Sequence, residues 1–202
     1  TFAQPLLYLV GTVFLLLAGY YFYTDLGYFV TFGFGENIFA NFFQLLFVDL
    51  RLVLLLTVPL LTMRLFAEEK KLGTIELLFT YPLLDVEILL AKLVACTLAV
   101  CTLLAGTTVT LWYLHGLERF ALQPVLAGYL GLVLLAAAFV AVGTFLSTLT
   151  DNQVVAAMST VGTLLLLWIL SWNESAPGAA SLGWVSRLSI FNHFEGFTRG
   201  VI

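Results

Sequence analysis

RLFAEEKKLGTIELLFTYPLLDVEILLAK, residues Arg64 to Lys92, decides how this chain is read. It carries Arg64, Lys70, Lys71, Lys92, Glu68, Glu69, Glu76, Asp85 and Glu87. That is close to half of the charge, since all 202 residues hold 8 Lys and Arg and 12 Asp and Glu. On both sides lie apolar runs as long as a bilayer crossing, which needs about 20 residues. A polar island between two such runs sits in water at one membrane face. A simple linker there would be Gly/Ser-rich and featureless. This segment is instead punctuated as helices. Lys70 and Lys71 suit the last turn of the arriving helix, at the negative end of its dipole. Gly73 can take the left-handed conformation that closes a helix. Thr74 is an N-cap candidate for a short helix, Ile75 to Tyr81, with Glu76 in its first turn. Pro82 stops that helix, because proline disfavours helical geometry in the residue before it. Asp85 is then expected to cap the next helix, with Glu87 in its first turn.

Composition leads to the membrane independently. Hydrophobic residues make up 61% of the chain and charged residues 10%, with a mean hydropathy of +1.06; soluble domains run near a quarter charged. The expected fold is an all-α polytopic membrane protein with about five transmembrane helices. These are Pro5 to Tyr23, Phe43 to Phe66, Val86 to Leu114, Val125 to Leu149 and Gln153 to Trp172. Asp25 to Asn41 reads as interfacial loop and amphipathic helix. Asp151 or Asn152 is expected to cap the fifth span. Beyond Asn173 two short amphipathic pieces follow, too polar to cross. The net charge of -4 argues against a nucleic-acid partner. No basic leader with a cleavage site marks a signal peptide. The basic cluster beside span ends favours a cytoplasmic Arg64–Lys92 island, and Trp112, Trp168, Trp172 and Trp184 fall toward the opposite face.

Chemistry is sparse. Glu68, Glu69 and Glu76 read as a solvated helix end rather than catalytic carboxylates, which must be desolvated or paired to work near neutral pH. Asp49 and Arg51 lie within the second span, where ionisable groups are costly and mark a functional-site hypothesis. Two positions apart on a helix they do not face each other. Their readings are a structural role with partners on other helices, or part of a substrate path. His193 and Glu195, with His115 elsewhere, fall short of the ligand set of a metal site, so no metal is expected. Neither a Gly-x-Ser-x-Gly elbow nor a Walker A loop occurs. Cys96 and Cys101 read as small hydrophobes within one helix. Gly143 and Ser147, with Ala137 and Ala141, set small residues four apart on the fourth span, the pattern of close helix approach.

The central stretch resembles the signature of ABC-2 type transporter permeases, close to the gliding-motility and copper-maturation (nitrous-oxide reductase maturation) branch. The matching residues are Met63-Arg64, Glu68-Glu69-Lys70-Lys71, Gly73-Thr74-Ile75-Glu76-Leu77-Leu78, Pro82 and Lys92. Less specific agreement comes from Pro5 and from His193-Phe194-Glu195 through Arg199-Gly200. The resemblance implies a single transmembrane domain over residues 1–202, truncated at both ends, with five of a probable six spans and re-entrant or amphipathic helices on the outer face. It implies a permease subunit of an ATP-driven exporter that forms the substrate path. A separate ATPase would dock on the coupling helix near 74–82 through Glu68, Glu69, Lys70, Gly73, Thr74, Glu76, Leu77 and Pro82. The chain itself would be no enzyme and hold no cofactor, with ATP and magnesium on the partner. The implied partners are two ATPase subunits, a second permease chain and membrane lipids, in a bacterial or archaeal cytoplasmic membrane. The alternative is a membrane scaffold or assembly subunit that anchors a cytoplasmic partner without moving a substrate.

Overall fold

The computed structural model describes residues 5–32, 42–74, 84–117 and 122–172. These form six helices: α1 (Pro5–Phe32), α2 (Gln44–Thr62), α3 (Ala67–Lys71), α4 (Asp85–Leu117), α5 (Leu122–Leu149) and α6 (Gln153–Trp172). Four runs are long and apolar enough to cross a membrane: Leu6–Thr31, Gln44–Lys71, Asp85–Leu114 and Leu122–Leu149. The fifth expected span is α6, which occupies the expected residues; its apolar run Gln153–Ile169 is shorter. The fold is an all-α polytopic membrane protein.

The hub is α2, which packs on α1, α5 and α6, while α4 lies against α1 and α5. Its buried face includes Phe47, Leu50, Val53, Leu54 and Val58. Two glycines on α5 set how closely α5 can approach. A Cβ at Gly128 would run into the Phe47 ring, and one at Gly143 would run into the Thr62 side chain. The same Phe47 ring meets Tyr129 edge-on at 5.6 Å, and the Tyr129 hydroxyl lies 2.9 Å from Thr107 Oγ1 on α4. One aromatic residue thus links α2 through α5 to α4. By contrast, most of α4 and α1 presents apolar side chains outward, among them Leu16, Val94, Leu98 and Val109. In water such a surface would be unfavourable by roughly 25 cal/mol per Å²; in a bilayer it meets hydrocarbon.

Several boundaries differ from the sequence reading. The first helix does not end at Tyr23 but continues through Asp25 to Phe32. The aromatic cluster Tyr20, Tyr21, Phe22 and Tyr23, followed by Gly27, suggests an interfacial exit there, yet Phe22 and Phe29, a two-turn interval apart, both pack edge-on against Phe42. That contact holds the extra turns helical and buries Asp25 to 9% exposure. The second helix stops at Thr62, so Lys70 and Lys71 end a separate helix, α3, rather than the spanning one. Pro59 weakens that end, since it offers no N–H to the helix ladder. Asp85 is the first residue of α4, not its cap. Glu87 does the capping, its carboxylate accepting the Leu84 N–H at 3.1 Å, which is the reach-back half of a capping box. At α6 the cap is Asn152, whose Oδ1 accepts the Val154 N–H at 2.9 Å. Helix also takes up His115–Leu117 and Leu122–Pro124, which lie between the third and fourth expected spans. The expected helix Ile75 to Tyr81, Pro82, and everything beyond Trp172 lie outside the described residues.

Gly143→Leu should destabilise the bundle by about 1–3 kcal/mol through overpacking against Thr62. Gly162 on α6 has nothing within 4 Å of a built Cβ, so Gly162→Ala should be neutral or slightly stabilising. Thermal melts of both detergent-purified variants, followed by size-exclusion chromatography, check the contrast.

Candidate functional site

Between α2 and α3 the chain breaks helix at Met63 to Phe66. A break leaves backbone groups that water or a side chain must satisfy. Ser147, near the end of α5, does this. Its Oγ accepts the N–H groups of Phe66 and Ala67, each at 3.2 Å, and donates to the Met63 carbonyl at 3.3 Å. A hydroxyl has one donor and two acceptor positions, and all three are used. Ser147 is fully buried. The close approach of α5 at Gly143, one turn earlier, brings it within reach. Of the small-residue set on the fourth span, Gly143 and Ser147 therefore serve packing within the chain, while Ala141 faces outward.

Two lysines complete the clasp. Lys70 donates to the Thr148 carbonyl at 2.6 Å and lies 3.8 Å from Asp151. It thereby meets a carbonyl in the last turn of α5, where a cation also favours the helix dipole. Lys92, in the third turn of α4, donates to the Leu65 carbonyl and pairs with Glu69. Its ammonium also stands 4.1 Å from the centre of the Phe66 ring, a cation–π distance. Through Ala67, Glu69 and Lys70 the short helix α3 is thus tied to α4 and α5, and by Asp151 to the turn into α6.

The remaining sequence-selected residues fall as follows. Glu68 lies 4.0 Å from Arg64 Nε. The two glutamates are half-buried and paired with cations, and so are not the freely solvated helix end that the sequence suggests. Gly73 takes φ +70°, as its place after the lysines predicts. Its N–H bonds the Lys70 carbonyl at 3.1 Å. Thr74 is turned backward, its hydroxyl donating to the Glu69 carbonyl at 3.3 Å, so its side chain helps to close α3. Glu76, Leu77 and Pro82 are outside the described residues. Asp49 and Arg51 line one small cavity of about 230 Å³ between α2 and α6, together with Trp168. No ion pair joins Asp49 to Arg51 among the described residues. Cys96 and Cys101 are both free.

Sequence reasoning missed Ser147's role, because a serine 80 residues away gives no local signal. It also missed Lys92 as the partner of Glu69. Their distance from one another, 23 residues, hides the pairing. Among the described residues no cluster of three or more His, Cys, Asp or Glu side chains could hold a metal ion.

No curated protein and no solved structure is significantly similar to the chain. A family model described as ABC-2 family transporter protein matches residues 6–182, which takes in all six helices and the clasp. The chain belongs to the ABC-2 transporter family and is a multi-pass membrane permease component of an ABC transporter.

Proposed function

We propose that this chain is the permease subunit of an ATP-driven exporter, with the clasp at the end of α2 as the place where a separate ATPase acts. The observation that carries this reading is the triple attachment of α3. Lys92 ties it to α4, Ser147 and Lys70 to α5, and Lys70 through Asp151 to the turn before α6. A partner that moves the segment from Glu68 to Pro82 moves three spanning helices with it. Glu68, Glu69, Lys70, Gly73 and Thr74, continuing through Glu76, Leu77 and Pro82, form the docking segment in this reading. The chain has no Walker A loop, so ATP and magnesium belong to the partner. Two ATPases and a second permease chain, identical or homologous, would complete the transporter. The charged end faces the cytoplasm of a bacterial or archaeal cell. The Gly73-Thr74-Ile75-Glu76-Leu77-Leu78 run supports the gliding-motility and copper-maturation branch. The substrate path would run along the interface of two permease chains, and Asp49 and Arg51 at their cavity are its candidate polar contacts.

Orientation is tested with single cysteines in a background where Cys96 and Cys101 are alanine. Lys71→Cys, exposed at the end of α3, should react with an impermeant maleimide only after the cells are opened. Gly116→Cys, exposed near the far end of α4, should react in intact cells. The opposite pattern places the charged end outside and removes ATPase docking there.

Coupling is tested at Gly73. A Cβ there meets none of the described residues within 4 Å, so among them a substitution acts through the backbone. Gly73→Val forces a β-branched residue into left-handed geometry at a cost of roughly 1–2 kcal/mol. Asn tolerates that geometry. At matched permease level, Gly73→Val should lower permease-stimulated ATP turnover of the co-expressed ATPase about fivefold or more, and Gly73→Asn should largely restore it. Equal turnover in all three would mean that the segment does not transmit ATPase closure.

A further inference from the structure

A cleft of about 330 Å³ opens between α1, the α2–α3 break and α4, on the side of the clasp away from α5. Its shape follows from where α1 and α4 touch. At mid-height the two helices are close: a Cβ at Gly11 would stand 3.0 Å from Leu103 Cδ2, and one at Gly106 2.9 Å from Leu15 Cδ2. Toward the charged end they part. Ala91, Ala95 and Ala99, on one stripe of α4, leave a trough there, walled opposite by Leu6, Leu7 and Leu61. At its charged end the trough meets Arg64, Glu69 and Lys92.

The charges at that mouth are unequally committed. Lys92 and Glu69 hold each other. Among the described residues Arg64 does not close a comparable bond: its Nε is buried without a hydrogen-bond partner, and the Glu68 carboxylate stands at 4.0 Å. That is beyond hydrogen-bond range. A buried donor without an acceptor is unfavourable, and the Arg64 side chain, about one third exposed at the mouth, is left able to turn toward an acceptor that enters. The planar guanidinium fork matches phosphate oxygens, and basic pockets between spanning helices at a membrane face suit lipid head groups. Below the guanidinium the walls are hydrocarbon, and the volume is at the small end of ligand pockets. It accommodates a phosphate and part of one chain rather than a bulky solute.

We propose that this cleft binds an anionic phospholipid of the adjoining leaflet, its phosphate on Arg64 and one acyl chain along the Ala91–Ala95–Ala99 trough. This goes beyond the docking reading and does not depend on it. A lipid so placed bears on both walls of the cleft and on Arg64 within the helix break, so leaflet composition acts on the clasp from the side opposite α5.

The test is native mass spectrometry of the purified protein in neutral detergent, titrated with phosphatidylglycerol. Controls are diacylglycerol of the same chains, which lacks the phosphate, and glycerol phosphate, which lacks the chains. Phosphatidylglycerol adducts should persist, and diacylglycerol should bind about tenfold more weakly, as expected for losing a charge-assisted hydrogen bond. Glycerol phosphate should not displace the lipid at equal concentration. Arg64→Gln removes the phosphate contact and Ala95→Leu fills the trough. Each should lower phosphatidylglycerol occupancy by about tenfold, while Lys71→Gln, exposed and outside the cleft, should not. Should Arg64→Gln fail to fold, Ala95→Leu decides alone. The proposal is overturned if the variants that fold bind like the parent protein. It is equally overturned if Lys71→Gln loses as much lipid as Arg64→Gln, or if glycerol phosphate competes as well as lipid.

Discussion

Backbone groups freed where a helix breaks must find partners inside the protein when they are buried from water, and in this chain that requirement falls on Ser147. The break after α2 frees the N–H groups of Phe66 and Ala67 and the carbonyl of Met63, and one hydroxyl serves all three. Everything around the clasp is consistent with keeping that hydroxyl in place. Gly143 lets α5 come close enough, Thr62 fills the space that a side chain at 143 would need, and Lys70 fixes the next carbonyl along. Without the close approach of α5, the break would have to move out into water, and α3 would lose its attachment to the bundle.

The same economy of contacts appears further into the membrane. Lipid tails are as apolar as leucine, so helix association there depends on close packing and interhelical hydrogen bonds. Here Phe47 rests against Gly128, and the Thr107–Tyr129 hydroxyl contact bridges α4 and α5. Elsewhere the threonines turn inward on their own helices. Thr97, Thr102, Thr108 and Thr110 on α4 each donate to a carbonyl three or four residues earlier. This explains how a helix crossing an apolar medium tolerates so many hydroxyls: each is satisfied locally and asks nothing of its neighbours.

The spans were legible because length and apolarity alone define them, and Gly73's positive φ was legible because Lys70 and Lys71 mark the turn it closes. Local grammar failed where a distant contact overrode it. Asp25 and Gly27 read as an exit from the membrane, but Phe42 captures Phe22 and Phe29 and carries the helix past them. Asp85 and Glu87 are both able to cap α4, and only the backbone decides that Glu87 does so. The charged run reads as a solvated end until Lys92 comes back from the next helix to meet Glu69. For α1 and for the charged run the deciding partner is distant in sequence, and no periodicity encodes it.

The unbroken length of α4 has a mechanical consequence. Its 33 residues run unbroken from the polar end to the far side, and Lys92 is pinned near one end by Leu65, Glu69 and Phe66. Trp112 stands 20 positions further on, about 30 Å along the axis. With Lys92 as the fulcrum, a pivot of 10° would sweep Trp112 through roughly 5 Å, given that rise. In such a movement the ion pair would serve as a bearing as well as a bond, with α4 as the lever arm.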